Sequence, residues 1–132
     1  MTAGPDARAS AGMRKLPDQR LTQAERIRRR PEYVAIYESG LKLSGRLMTV
    51  FVRVTDQPTA RLGIAATRKY GSAVQRNRAK RLVREVFRHN KLQAGLDVVV
   101  IPRREMREAD YAHVEADYLA VLRRRGWKPR GA

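Results

Sequence analysis

Between Arg76 and Arg88 six basic side chains share one stretch with a helical apolar stripe, and no other segment limits so tightly what this chain can become. A helix turns about 100° per residue, which gathers Ala79, Leu82, Val83, Val86 and Phe87 on one side. Lys80, Arg81, Arg84 and Arg88 fall on the other, with Asn77 among them, and Arg76 and Arg78 flank the stripe near its start. One face belongs in a core; the other offers guanidinium forks to something anionic. A helix face that is merely solvated carries alternating signs, with acids three or four residues from the bases. Here only Glu85 offsets the charge locally. Like charges packed this closely cost stability unless a polyanion relieves them.

The rest of the chain carries the same bias. Its 132 residues leave room for one domain with one modest core, and 29 Lys and Arg against 13 Asp and Glu give a formal charge of +16. With a pI of about 11.4, nucleic acid is the first partner to consider. An anionic membrane surface competes, but the apolar side of the basic helix is needed for the only core available. Cysteine is absent, which removes disulfides and thiolate metal sites and suits the cytoplasm. No apolar run approaches membrane-spanning length, and the N-terminus lacks the apolar core of a secretory signal. Nothing points to a protein partner.

Residues 1–21 show no period and read as a disordered extension. Thr22-x-x-Glu25 can cap a short turn. Arg26-Ile27-Arg28-Arg29-Arg30 leads into Pro31, a good first helical residue, and a helix to about Ser39 places Tyr33 and Tyr37 on one face. A strand near Leu41 to Leu43 is weakly signalled. From Leu47 to Thr55 the pattern alternates: Met48, Val50, Val52 and Val54 point one way, and Thr49, Phe51, Arg53 and Thr55 the other. Arg61 to Thr67 reads as a further strand, whose Gly63 and Ala65 allow a partner to approach closely. Ser72-x-x-Gln75 fits a capping box for the basic helix, which ends near Asn90. Val98-Val99-Val100 implies a strand buried on both faces, ended by Pro102. Asp110 can cap a last helix with a core stripe of Tyr111, Val114, Tyr118, Val121 and Leu122. Residues 125–132 read as a loose basic tail, leaving 22–124 as the folded domain. The order of elements says α+β or α/β in two layers.

Candidate chemistry is sparse. His89 and His113 have no carboxylate or second histidine at metal-ligand spacing. Glu108, Asp110, Glu115 and Asp117 could be considered for Mg²⁺, but a solvated helix face balancing Arg104, Arg107 and Arg123 accounts for them. There is no Gly-rich phosphate loop and no nucleophile motif. No protein-borne active site is evident in the sequence.

The stretch Thr67-Arg68-Lys69-Tyr70-Gly71-Ser72-Ala73-Val74-Gln75-Arg76-Asn77-Arg78-Ala79-Lys80-Arg81-Leu82-Val83-Arg84-Glu85 resembles the signature of the protein subunit of bacterial ribonuclease P. That family carries a basic segment, a glycine, and then Arg-Asn-Arg-x-Lys-Arg-x-x-Arg. The likeness runs from about Arg26 to Arg124. It implies a compact two-layer αβββαβα sandwich of the kind seen in the second domain of ribosomal protein S5, with an unusual left-handed crossover around the basic helix. It also implies that an RNA subunit holds the Mg²⁺ ions and cleaves precursor tRNA, so the protein has no catalytic residue and no metal of its own. Two surfaces follow from the resemblance. Arg76, Asn77, Arg78, Lys80, Arg81 and Arg84 would lie against the RNA subunit, and Arg68 and Lys69, closing the strand next to the second surface, would add phosphate contacts. Tyr33, Tyr37 and Phe51 match the aromatic positions of a cleft for the 5′ leader, where bases stack on rings. Aromatics at helical spacing are otherwise core residues, so the trio has two readings from pattern alone. The chain departs from the family in having Tyr at two positions that are often Phe, Pro31 in place of a common acidic residue, and an N-terminal extension without a counterpart. A general or ribosomal RNA-binding protein of the same topology is the alternative. A helix-turn-helix DNA binder is disfavoured, because a strand precedes the basic helix.

Overall fold

A computed structural model describes residues 21–127. The expected N-terminal extension up to residue 20, and the tail from residue 128, lie outside the described residues. Leu21, the last residue of that extension, packs partly buried against the main core.

The chain builds α1 (Arg30–Ser39), β1 (Leu41–Ser44), β2 (Met48–Val54), β3 (Arg61–Ile64), α2 (Ala73–His89), β4 (Leu96–Pro102) and α3 (Tyr111–Arg123). A short 3-10 turn precedes α1 at Gln23–Glu25, and another, Arg104–Glu108, precedes α3. The four strands form one sheet in the order β1-β2-β4-β3. β1 and β4 run antiparallel to β2, while β3 runs parallel to β4, so α2 is the crossover of a βαβ unit.

α2 and α3 cover one face of the sheet. Met48, Val50, Val52, Leu62, Val98 and Val100 meet Ala79, Val83, Val86 and Phe87 of α2, and Val114, Tyr118, Val121 and Leu122 of α3. This is the main core, and the apolar stripe read from the sequence fills it. Leu82 and Tyr111, placed on the two stripes, are only partly buried at its rim. The other face of the sheet is partly crossed by α1. There a smaller cluster joins Ile27, Ile36 and Val99 to Tyr33, Phe51 and Ile101. Val99 thus faces away from its neighbours Val98 and Val100, and β4 is buried on both sides, as its unbroken apolar run requires.

Several local expectations need correction. β3 stops at Ile64; Arg68 and Lys69 lie beyond it, exposed in the turn closed by the Tyr70 N–H donating to the Thr67 carbonyl at 3.0 Å. Val54 keeps the alternation but ends its strand beyond the core and is 72% exposed. Residues 125–127 are not loose. Gly126 takes φ +80° and the Trp127 N–H donates to Leu122 O at 3.2 Å, which turns the Trp127 ring onto the main core.

Candidate RNA interface

α2 starts as its sequence dictates. The Gln75 N–H donates to Ser72 Oγ at 3.2 Å and the Ser72 N–H donates back to Gln75 Oε1 at 2.8 Å. Gly71 makes room for that box, since a Cβ there would come within 2.1 Å of Gln75 Oε1. From this start the stripe faces the sheet, while Asn77, Arg78 and Arg81 stand exposed and Lys80 and Arg84 half-buried. Among the described residues neither Lys80, Arg81 nor Arg84 pairs with a carboxylate; Arg88 is 3.5 Å from Glu85.

Two arginines of the motif are tied to backbone. Arg76 donates from Nη1 to the Gly71 carbonyl at 2.8 Å. Arg78 donates from Nη2 to Ala109 O at 2.8 Å and from Nη1 to Arg107 O at 3.5 Å, linking α2 to the turn before α3. A guanidinium has five N–H donors, so each keeps some for a phosphate while also holding local structure.

Sequence reasoning missed Arg26 in this surface. The Arg26-Ile27-Arg28 segment, read as a lead into the helix, instead runs beside β3. The Ile27 N–H donates to Leu62 O at 2.9 Å, and Arg26 forms a parallel bridge with Leu62. Ile27 is buried and its two arginine neighbours are exposed, an alternation that was the available signal. Arg26 consequently faces α2 across a groove of about 530 Å³ lined also by Arg81, Arg84, Glu85 and Arg88. Burial, and then the nearby charges of Arg26 and Arg81, push the Arg84 guanidinium below its ordinary pKa. It stays charged, in a position that an anion would relieve. A smaller hollow of about 180 Å³, lined by Lys80, Tyr33 and Ile64 among others, shares Arg26 and Arg84 with this groove.

On that side three rings line up across the sheet. Tyr33 and Tyr37 stand one helical turn apart with ring centroids 6.4 Å apart, and Tyr37 meets Phe51 edge-on at 5.0 Å. Their surroundings differ. Tyr33 lies over Gly63, where a Cβ would come within 2.7 Å of its hydroxyl. That hydroxyl donates to Ile27 O at 3.1 Å and accepts from the Ile64 N–H at 3.2 Å. The close approach expected at Gly63 is therefore made by Tyr33, and burial raises the pKa of its phenol. Tyr37 is 36% exposed and Phe51 is partly buried. The register sets Lys42 beside Phe51 in one row, and Ser44, Thr49 and Ile101 in the next. An exposed ring with a lysine on the same sheet face suits a stacked base and its phosphate.

Three of the four acids considered for Mg²⁺ have other tasks. Asp117 accepts the Arg46 and Leu47 N–H groups at 3.0 and 2.9 Å, and Asp110 caps α3 by accepting the His113 N–H at 3.0 Å. Glu115 accepts from Asn90 at 2.6 Å and from the Tyr111 hydroxyl at 3.2 Å. They support backbone and neighbouring side chains, where the sequence suggested a solvated balance for arginines. Among the described residues no group of three or more His, Asp or Glu is placed to hold a metal ion. Nor is any helix among them long and apolar enough to cross a membrane.

Known proteins share this arrangement. The family model for ribonuclease P matches residues 21–126. The ribonuclease P protein component of Thermotoga maritima is 38% identical over 109 residues, covering 78% of this chain and 93% of the relative. That of Syntrophus aciditrophicus is 42% identical over 96 residues, covering 71% and 81%. The solved RNase P protein of Thermotoga maritima superposes with a TM-score of 0.69 at 38% identity, over 76% of this chain and 96% of that one. The Staphylococcus aureus protein superposes with a TM-score of 0.71 at 27% identity, over 79% and 97%. With the matched region spanning the sheet, all three helices and both candidate surfaces, the chain belongs to the ribonuclease P protein family.

Proposed function

We propose that this chain is the protein subunit of a ribonuclease P ribonucleoprotein, in which it binds the catalytic RNA subunit and the 5′ leader of precursor tRNA. Together they remove the leader by an endonucleolytic cut that makes the mature tRNA 5′ end. The observation that carries this is the basic face of α2, with its Arg-Asn-Arg start and with Lys80, Arg81 and Arg84 lacking a carboxylate partner among the described residues, on a chain that belongs to the family. Arg76, Asn77, Arg78, Lys80, Arg81 and Arg84 meet the RNA subunit; Arg26 and Arg88 extend that surface, and Arg68 and Lys69 add phosphate contacts in the turn before it. Tyr37 and Phe51 are the stacking platform for the leader, and Tyr33 is both its end and its anchor.

Cleavage is the work of the RNA subunit, which holds the Mg²⁺. Asp117 and Asp110 are engaged as turn and cap acceptors, and among the described residues no group of three or more His, Asp or Glu is placed to hold a metal ion. The complex works in the cytoplasm. Residues 22–124 are the functional domain, and the extension before them has no assigned task. The decisive experiment is competition. The protein, bound to its RNA subunit, should prefer precursor tRNA with a leader over mature tRNA and over unrelated structured RNA. Equal competition by all three would favour a general RNA-binding protein instead.

A further inference from the structure

The first turn of α1 rests on an ion network of four side chains that the surfaces above do not use. Asp97, fully buried on β4, receives both prongs of the Arg61 guanidinium, Nε at 2.9 Å and Nη2 at 2.8 Å. Arg53 Nη2 adds a third bond to Asp97 at 3.2 Å. The remaining prong of Arg61, Nη1, reaches Glu32 Oε2 at 2.9 Å. Glu32 immediately precedes Tyr33 on α1. α1 is otherwise held to the sheet by Ile36, its one fully buried side chain, and by the Tyr33 hydroxyl bonded to the Ile64 N–H. Glu32 and Arg61 form a half-buried pair that solvent still reaches, so its charges alone add little stability. Its geometry is another matter: a two-pronged bond to a buried carboxylate fixes the plane of the guanidinium and so fixes where the third prong points.

We infer that Arg61, clamped by Asp97 and reaching Glu32, is a positioning residue for leader binding: it seats the first turn of α1 and thereby sets Tyr33 and Tyr37 against Phe51. This inference rests on the cleft proposed above. Base stacking needs a ring held at a definite height over the sheet, and the ring nearest the clamp is one residue from its carboxylate. The network itself touches no RNA.

The test uses the holoenzyme and measures the ratio of its affinities for precursor tRNA with a leader and for mature tRNA. Glu32→Ala should lower that ratio about fivefold, which corresponds to losing on the order of 1 kcal/mol of stacking. Glu32→Gln keeps an oxygen to accept from Arg61 and should restore most of it. Glu32→Ala combined with Tyr37→Ala should lose less than the two losses added, because both act on the same ring. Affinity for the RNA subunit alone should match wild type, since α2 is untouched, and thermal melts should show only the small loss expected of one half-buried pair and one helix cap. A wild-type ratio in Glu32→Ala overturns the inference. So does a raised ratio, which would mean that the carboxylate only repels a phosphate, and so do strictly additive losses. Tyr37→Ala alone separates the two levels. If it lowers the ratio while Glu32→Ala does not, only the clamp is wrong; if neither lowers it, the cleft is wrong as well.

Discussion

At position 63 the missing side chain is what lets α1 reach the sheet. Gly63→Ala would put a Cβ 2.7 Å from the Tyr33 hydroxyl and push the ring off its bond to the Ile64 N–H. The expected cost is about 1–3 kcal/mol of stability by denaturant melt, the scale of overpacking, together with a weaker preference for leader-bearing tRNA. Asp97 is more demanding. Asp97→Ala leaves Arg61 and Arg53 without their shared buried carboxylate, and should cost about 3–5 kcal/mol in the same melts. Glu32 shows the network through pH. Its hydrogen bond from Arg61 holds the carboxyl below its ordinary 4.5. A carboxyl depressed by folding stabilises fully above that ordinary value and loses its contribution as pH falls through the folded-state value. Melts of the wild type and Glu32→Gln should therefore converge as pH falls below 4.5. Curves that stay equally spaced down to strongly acid pH would show that the pair is not felt.

Within α2 the six basic side chains separate into two kinds. Arg81 is exposed without a carboxylate among the described residues, so Arg81→Ala should leave the melting temperature alone. It should lower the log–log salt slope of RNA-subunit binding by roughly one unit if one phosphate contact is lost. Arg78 also ties α2 to the carbonyls of Arg107 and Ala109, so Arg78→Ala should in addition lose about 1 kcal/mol of stability. Identical melts for the two variants would show that the Arg78 tie is idle. This division marks how far the sequence could be read. The elements with a strong period and a side-chain cap, α2 from Ser72 and α3 from Asp110, were legible almost to the residue because local hydrogen bonds decide where they start. The both-sided burial of β4 was legible for a similar reason, since a run of three valines has only one comfortable environment. What escaped depends on residues far apart in the chain. Asp97 meets Arg61 from 36 positions away, Arg78 meets Ala109 from 31, and Arg26 meets α2 only because Ile27 bonds to β3. No periodicity records the first two meetings, and for Arg26 the alternation around Ile27 marks an extended stretch without naming its partner. The aromatic trio was legible as a group, but its division into an anchor and an exposed platform follows from Gly63 and so required the fold.

For the molecule as a whole the dominant quantity is a formal charge of +16, carried by a fold whose acids are largely occupied in caps, turns and clamps. On the function proposed above, such a protein would act chiefly by neutralising phosphates that must come close together when the RNA subunit and its substrate meet. Mg²⁺ also neutralises phosphates, so protein and metal substitute for one another in that part of the task, though not in the chemistry assigned to the RNA subunit. Two results follow. The RNA-free protein with Mg²⁺ should leave precursor tRNA intact, whereas the RNA subunit with Mg²⁺ should release the leader in a single cut. Adding the protein should then lower the Mg²⁺ concentration needed for half-maximal cleavage, and more so at low monovalent salt, where its charge is least screened. The check is a Mg²⁺ titration of leader release by RNA alone and by the reconstituted complex, with a variant lacking the charges of Lys80, Arg81 and Arg84 as the third arm. That variant should need more Mg²⁺ than wild type at equal occupancy of the RNA. If the three titrations coincide while the protein is demonstrably bound, neutralisation by α2 plays no part in catalysis. Cleavage by protein in a preparation free of RNA would be the more serious result, because it would move the chemistry into a chain whose described carboxylates and histidines form no metal-binding group.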